Sequence, residues 1–341
     1  MKRAVLICPG RGTYNATELG YVTRSFGDAD LLRTFDALRR MAGQYTLTAL
    51  DTAATFDPKR HATGDNASAL IYASGIADLC ALDRDTVDLV AVTGNSMGWY
   101  TALACAGAVS FETGFEIANT MGTLMHERAV GGQLVYPHVG DDWRDDPGEK
   151  ARLLDLVDEI DARPDHRLSL SIDLGGMVVL AGDSAGLRAF EQAVPKRDRF
   201  PMRLANHAAF HTDLMTPISA EGFARFDADR FEDPALPLID GRGQLWWPHA
   251  TEPQALRDYT LGVQVTETYD FTRAIAIAAR EFAPDLFILA GPGTTLGGAV
   301  AQSLIAAKWR GLTDKAGFSA LQAKAPLLVS MGRADQRALV T

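Results

Sequence analysis

The chain's most constraining feature is the passage from Val87 to Ala106. Val87 to Val92 reads as a buried strand, Gly94-Asn95-Ser96-Met97-Gly98 turns it sharply, and Trp99 to Ala106 reads as an Ala-rich helix. A buried strand entering a helix over two glycines belongs to a sheet covered by helices. Other apolar runs repeat the theme. Ala4 to Cys8 is closed by Pro9-Gly10-Arg11-Gly12, Leu286 to Ala290 by Gly291-Pro292-Gly293, and Pro326 to Ser330 is a late strand. Helical patterns lie between them, at Asp28 to Met41, Ala67 to Leu82, Glu112 to Glu127 and Ala299 to Lys308. The expectation is an α/β fold with a mainly parallel sheet covered on both faces.

The texture changes after Gly131. Gly140 to Gly148 is a polar turn-rich loop, and Leu153 to Ile160 looks helical. Leu168 to Ile172 and Met177 to Ala181 read as strands, Ser184 to Ala193 as a helix, and Pro201 to Ala205 as a further strand. Such short alternating elements predict a small α+β unit inserted in the main domain, and 341 residues leave room for it.

Composition narrows the function classes. The net charge is −10, which does not suit a nucleic-acid footprint. Arg188, Lys196, Arg197, Arg199 and Arg203 are close in sequence, and read either as a local basic patch for an acidic partner or, preferably, as an ordinary solvated face. Cys8, Cys80 and Cys105 form no C-x-x-C pair and suit reduced thiols in a cytoplasmic protein. The apolar run after Met1-Lys2-Arg3 is too short for a signal-peptide core, and no stretch has the length of a membrane span. Trp246-Trp247-Pro248-His249 reads equally as a binding surface or a packed loop. Gly291-Pro292-Gly293 lacks the following acidic residue of a dinucleotide site.

The G-x-S-x-G turn has two readings. As a nucleophile elbow it holds the Ser96 hydroxyl at the end of the sheet and aims the Met97 N–H at a developing oxyanion. As a plain turn, Ser96 merely caps the helix. A serine nucleophile needs a base, and His211 in Ala208-Ala209-Phe210-His211-Thr212-Asp213-Leu214-Met215 has the most suggestive setting of the seven histidines. Its bland alternative is a hydrogen-bonded histidine near a helix start. His207 and His211 are four apart, but no H-E-x-x-H glutamate and no third ligand accompany them, so no metal site is expected.

Taken together these segments resemble the malonyl-CoA:acyl carrier protein transacylase family, including the acyltransferase domains of polyketide synthases. The family's F-P-G-Q-G-S-Q is matched by Cys8-Pro9-Gly10-Arg11-Gly12-Thr13-Tyr14, and its G-H-S-L-G-E-Y by Gly94 to Tyr100. Its A-L-x-A-A-G-A-x-S-F is matched by Ala102 to Phe111, and H-A-F-H-S-x-L-M by Ala208 to Met215. Gln264 to Phe271 resembles Q-x-x-x-P-V-x-W without the proline, and Gly291-Pro292-Gly293 matches a late G-P-G. The motifs keep the family's order over nearly the whole chain. The resemblance implies an α/β-hydrolase-like core at residues 1–128 and 206–341, with a ferredoxin-like subdomain inserted at 129–205. It also implies ping-pong acyl transfer by Ser96 and His211, from acyl-CoA to the phosphopantetheine thiol of an acyl carrier protein, with no further cofactor. The backbone N–H groups of Arg11 and Met97 would form the oxyanion hole, and the carbonyl of Gln264 would orient His211.

Departures from the family concern the acyl pocket, where the resemblance places Gly10, Asn95, Trp99, Met121 and Phe210. The arginine that pairs with the malonyl carboxylate, in R-G-E-L-M, is Met121 here. Arg11 replaces the glutamine of the first loop, Ala67 a second pocket glutamine, Asn95 the histidine beside the nucleophile, and Trp99 the glutamate after it. A carboxylate buried without a cation is strongly unfavourable. The pocket therefore either takes an uncharged acyl group, the preferred reading, or uses Arg11 in place of the lost charge. Phe210 before the base is, in the family, the aromatic that disfavours α-branched acyl groups. The same serine and histidine would also suit an editing thioesterase, and a degenerate homologue would serve as an inactive scaffold.

Overall fold

The computed structural model describes residues 1–27, 29–128 and 130–341. Asp28, the expected start of a helix, and residue 129, the expected start of the insertion, lie outside the described residues. The structure is a mixed α/β fold built on two sheets. The first runs β11-β10-β1-β2-β7-β8. Its parallel part comprises β1 (Lys2–Cys8), β2 (Val87–Gly94), β7 (Leu238–Ile239), β10 (Leu286–Leu289) and β11 (Leu328–Ser330). Among the described residues of this sheet, only the edge strand β8 (Leu245–Trp246) is antiparallel. Residues Ala4 to Cys8 of β1 are all inaccessible. An all-apolar rather than alternating run is what a central strand covered on both faces requires.

The second sheet runs β6-β3-β5-β4-β9. Its first four members in sequence, β3 (Gly132–Pro137), β4 (Leu168–Leu174), β5 (Met177–Gly182) and β6 (Met202–Arg203), pair antiparallel. Helices Pro147–Asp161 and Ser184–Ala193 complete a β-α-β-β-α-β unit of ferredoxin-like order. Alternation along the strands gives the sheet two different faces. Leu134, Tyr136, Val178 and Leu180 pack with Leu153, Val157, Ile160, Leu187 and Phe190 of the two helices in a core of their own. The residues between, Val135, Val179 and Ala181, join the main core. β9 (Tyr269–Asp270) comes from much later in the chain and extends this sheet, parallel to β4.

The elements read from the sequence lie close to where it places them, some longer, some shorter and some shifted at their ends, while β3 and the helix Phe271–Phe282 were not read. The helix predicted from Ala67 spans Gly64–Ala81, the one from Trp99 spans Gly98–Cys105, and the one from Glu112 spans Phe111–Arg128. Cys8 and Cys105 are far apart in sequence, yet their sulfurs lie 3.9 Å apart in the core. Two members of the basic cluster are paired, Arg197 with Glu149 and Arg203 with Glu191. In the Trp246-Trp247-Pro248-His249 stretch, Trp246 donates to Asp240 and the Trp247 ring lies against Phe282 while remaining 46% exposed. Among the described residues no helix is long and apolar enough to cross a membrane.

Candidate active site

Ser96 stands at the C-terminal end of β2, where the chain doubles back into the helix Gly98–Cys105. It holds φ at +55°, a left-handed conformation that costs about 1–3 kcal/mol in a non-glycine residue and recurs at functional turns. The neighbouring glycines make this turn possible. A Cβ on Gly98 would lie 2.1 Å from the Cys8 carbonyl oxygen, and one on Gly94 would lie 2.4 Å from the Gly98 backbone. The elbow is thus pressed against the end of β1, which brings Gly10 and Arg11 beside Ser96. Tyr269 on β9 fastens it from the other side by donating to the Gly94 carbonyl at 2.7 Å.

His211 Nε2 lies 2.7 Å from Ser96 Oγ, and His211 Nδ1 lies 2.7 Å from the Gln264 carbonyl oxygen. A carbonyl only accepts, so Nδ1 carries the ring proton and Nε2 is left to accept from the Ser96 hydroxyl. The Gln264 carbonyl is available because its helix, Gln264–Thr266, ends almost at once at the extended residue Glu267. A π-helical turn, Tyr259–Val263, leads into it. The Gln264 side chain adds a second link, donating to the Ser96 carbonyl at 3.0 Å and accepting from Tyr100 Oη at 3.1 Å. Burial lowers the His211 pKa to about 4, the Gln264 carbonyl opposing the shift. The ring is therefore neutral at physiological pH, as a proton acceptor must be.

The loop that carries His211 is tied to the second sheet. Ser171 on β4 donates to the Phe210 carbonyl at 2.8 Å, and Gln133 on β3 donates to Ser171 at 2.6 Å. His207 Nδ1 donates in turn to Gln133 Oε1 at 2.7 Å. The serine thus belongs to the first sheet, while its partner is held by the second.

A narrow, largely apolar cavity opens beside Ser96. Arg11, Ser68, Met97, Tyr100, Gly122, Met125, Phe210, His211 and Gln264 line it. Among the described residues the backbone N–H groups of Arg11 and Met97 make no hydrogen bond. Arg11 is largely withdrawn from water. Its Nη2 donates to the carbonyls of Ala62 and Asn206 at 3.2 and 3.0 Å, and its carbon Cζ lies 5.5 Å from the centre of the Phe210 ring. Burial lowers its pKa to about 10, partly offset by the charge of Asp65.

Of the expected site residues, Ser96, His211, Gln264, Arg11, Met97 and Phe210 meet at this cavity. Gly10 and Asn95 line an adjoining groove that also touches Arg11 and runs along β3 and β5 past Val135, Met177 and Val179. Trp99 and Met121 line neither. The Trp99 indole is fully buried, donates to Thr260 Oγ1 at 2.9 Å and meets Tyr259 edge to face. One residue along a helix is a turn of about 100°, so Tyr100 rather than Trp99 faces the cavity. Met121 is likewise buried, its sulfur against Gly222, while Gly122 and Met125 supply that helix's share of the cavity wall. The same rotation puts Ser68 in the wall instead of Ala67. Ser68 went unrecognised because no motif marks it, and Tyr100, Met125 and Tyr269 because the motifs that contain them do not tell which of their side chains meet the cavity or the elbow. A helical projection centred on Met97 would have found Tyr100.

No family model matches the chain. A malonyl CoA-acyl carrier protein transacylase of Bacillus subtilis is 24% identical over 176 residues, 51% of this chain and 53% of that protein. The phenolphthiocerol synthesis polyketide synthase type I of Mycobacterium marinum is 25% identical over 257 residues, 70% of this chain. The chain thus spans about half the length of the first relative and 10% of the second. In structure it superposes on the malonyl-CoA:ACP transacylase of Synechocystis with a TM-score of 0.75 over 100% of both chains, at 18% identity. The chain has the fold of the malonyl-CoA:acyl carrier protein transacylases.

Proposed function

We propose that this protein is a serine acyltransferase that takes an acyl group from acyl-CoA and passes it to the phosphopantetheine thiol of an acyl carrier protein. The observation that carries the reading is the relay from Ser96 Oγ to His211 Nε2, and from His211 Nδ1 to the Gln264 carbonyl, each 2.7 Å long. Ser96 Oγ attacks the thioester carbonyl as its proton passes to His211 Nε2. The negative oxygen so formed faces the free N–H groups of Met97 and Arg11. Collapse breaks the C–S bond, and the imidazolium returns its proton to the departing CoA thiolate. The carrier thiol then gives its proton to His211, attacks the acyl-serine and regenerates Ser96. The adjoining groove past Gly10 and Asn95 supplies a path for the pantetheine arm.

The cavity wall favours an uncharged acyl group. Met97, Tyr100, Gly122, Met125 and Phe210 dominate it, and the helix that would have carried a cation at Met121 contributes none to it. A second reading has its own observation: Arg11 reaches the cavity, and its Nε is buried without a hydrogen-bond partner. In that case Arg11 would pair with a substrate carboxylate. Intact-mass measurement after incubation with acetyl-, butyryl-, methylmalonyl- and malonyl-CoA separates the two. The uncharged reading expects acetyl or butyryl on Ser96. Efficient loading of malonyl, with neither of those loaded, would overturn it in favour of Arg11. Adding a carrier protein also tests the outcome of the second step. Transfer expects the acyl mass to move to the carrier, whereas loss to water at the same rate with or without carrier would indicate a hydrolase.

A further inference from the structure

We infer that Ser68 is a specificity-determining residue that selects an acyl group carrying a hydroxyl or keto oxygen along its chain; this rests on the acyltransferase reading above. Ser68 is fully inaccessible on the helix Gly64–Ala81, and its Oγ has no hydrogen-bond partner. It lines the same cavity as Ser96. It sits where that helix packs against Phe111–Arg128: a Cβ on Gly122 would lie 2.6 Å from Ser68 Oγ. Glycine at 122 thus makes room for the Ser68 side chain between the two helices.

A buried hydroxyl left unpaired is costly, and its presence calls for a partner that arrives later. The cavity's other side-chain polar groups are mostly committed. Tyr100 Oη and both ends of the Gln264 amide bond to one another and to Ser96, and His211 is used at both nitrogens. Among the described residues two fully buried side-chain polar atoms of this cavity have no hydrogen bond, Ser68 Oγ and Arg11 Nε. Arg11 Nε can only donate and Ser68 can do either, so an oxygen on the acyl chain suits both. A purely aliphatic acyl group would fill the apolar wall yet leave both atoms unpaired. A site built to bond an oxygen discriminates against the analogue lacking it.

The test compares initial rates of Ser96 acylation by butyryl-, 3-hydroxybutyryl- and 4-hydroxybutyryl-CoA, read by intact mass, in the wild type and in Ser68→Ala. Removing an unpaired buried hydroxyl from a helix costs no hydrogen bond, so the variant should melt near or above the wild-type temperature. The wild type should prefer one of the hydroxylated acyl groups over butyryl by about ten-fold or more, and Ser68→Ala should bring the ratio to within about two-fold. Butyryl reacting as fast as both hydroxylated groups would overturn the proposal, as would a preference that survives in Ser68→Ala. No acylation by any of the three would overturn the acyltransferase reading or its uncharged-acyl form, whereas acylation without the preference would leave that reading standing and remove only Ser68's role.

Discussion

Protonation of His211 is opposed by burial, and that fixes how the site responds to acid. Its pKa is lowered from 6.5 to about 4. Acylation of Ser96 should therefore lose rate only below about pH 4, since protonated Nε2 cannot accept the serine proton. A rate profile falling near pH 6.5 would contradict this burial. Stability follows the same sign. The unfolded chain takes up a proton near 6.5 and the folded one only near 4, so this contribution is fully present above 6.5 and is lost as pH falls through the folded value. Urea unfolding between those limits should show a stability slope about 1.4 kcal/mol per pH unit steeper than His211→Gln. His211→Ala should lower Ser96 acylation by about 10³-fold or more, measured as the rate of mass gain. The dyad residues were legible in the sequence because each lies in a distinctive loop. Ser68 and Tyr100 were not, because what marks them is which side of a helix meets the cavity.

At the scale of elements, the elbow is a packing problem solved by glycine. Gly98→Ala would place a methyl against the immovable carbonyl of Cys8 on β1. The expected cost is about 3 kcal/mol in urea unfolding, with slower labelling of Ser96 by a fluorophosphonate, because the β1 end and the turn must separate. An unchanged midpoint would show that the contact is looser than the structure has it. Strands such as β1 and β10 were readable because both of their faces are buried and their apolar runs are unbroken. The two-residue strands β7, β8 and β9 were not, because so short a segment has no period to read. The same limit hid Tyr269, which sits on β9 and fastens the Gly94 carbonyl.

The whole molecule places the two halves of the dyad on different sheets. Ser96 rides on the first, and the His211 loop is tied through Ser171 and Gln133 to the second. The ferredoxin-like unit has a core of its own, yet its other face joins the main core, so the distance between Ser96 and His211 depends on how the two sheets pack. Ser171→Ala would leave the Phe210 carbonyl and the Gln133 amide short of a partner. It should cost about 1–3 kcal/mol of stability and slow acylation without moving its acid limb. A shifted acid limb would mean that Ser171 acts on the His211 ring and not on the loop. The strands and helices read between Leu153 and Ala205 made a small α+β unit legible in advance, whereas β3 was not read and the ferredoxin-like order came from the family resemblance. The tether was not, since Gln133 and Ser171 belong to no motif and meet only when the sheet forms.

Acylation of Ser96 is read directly from the intact mass of the protein after incubation with short acyl-CoAs. A single acyl group should be gained, located on Ser96, absent in Ser96→Ala and nearly absent in His211→Ala. A protein that gains no acyl mass from any acyl-CoA, or that keeps it in Ser96→Ala, would contradict Ser96 as the nucleophile.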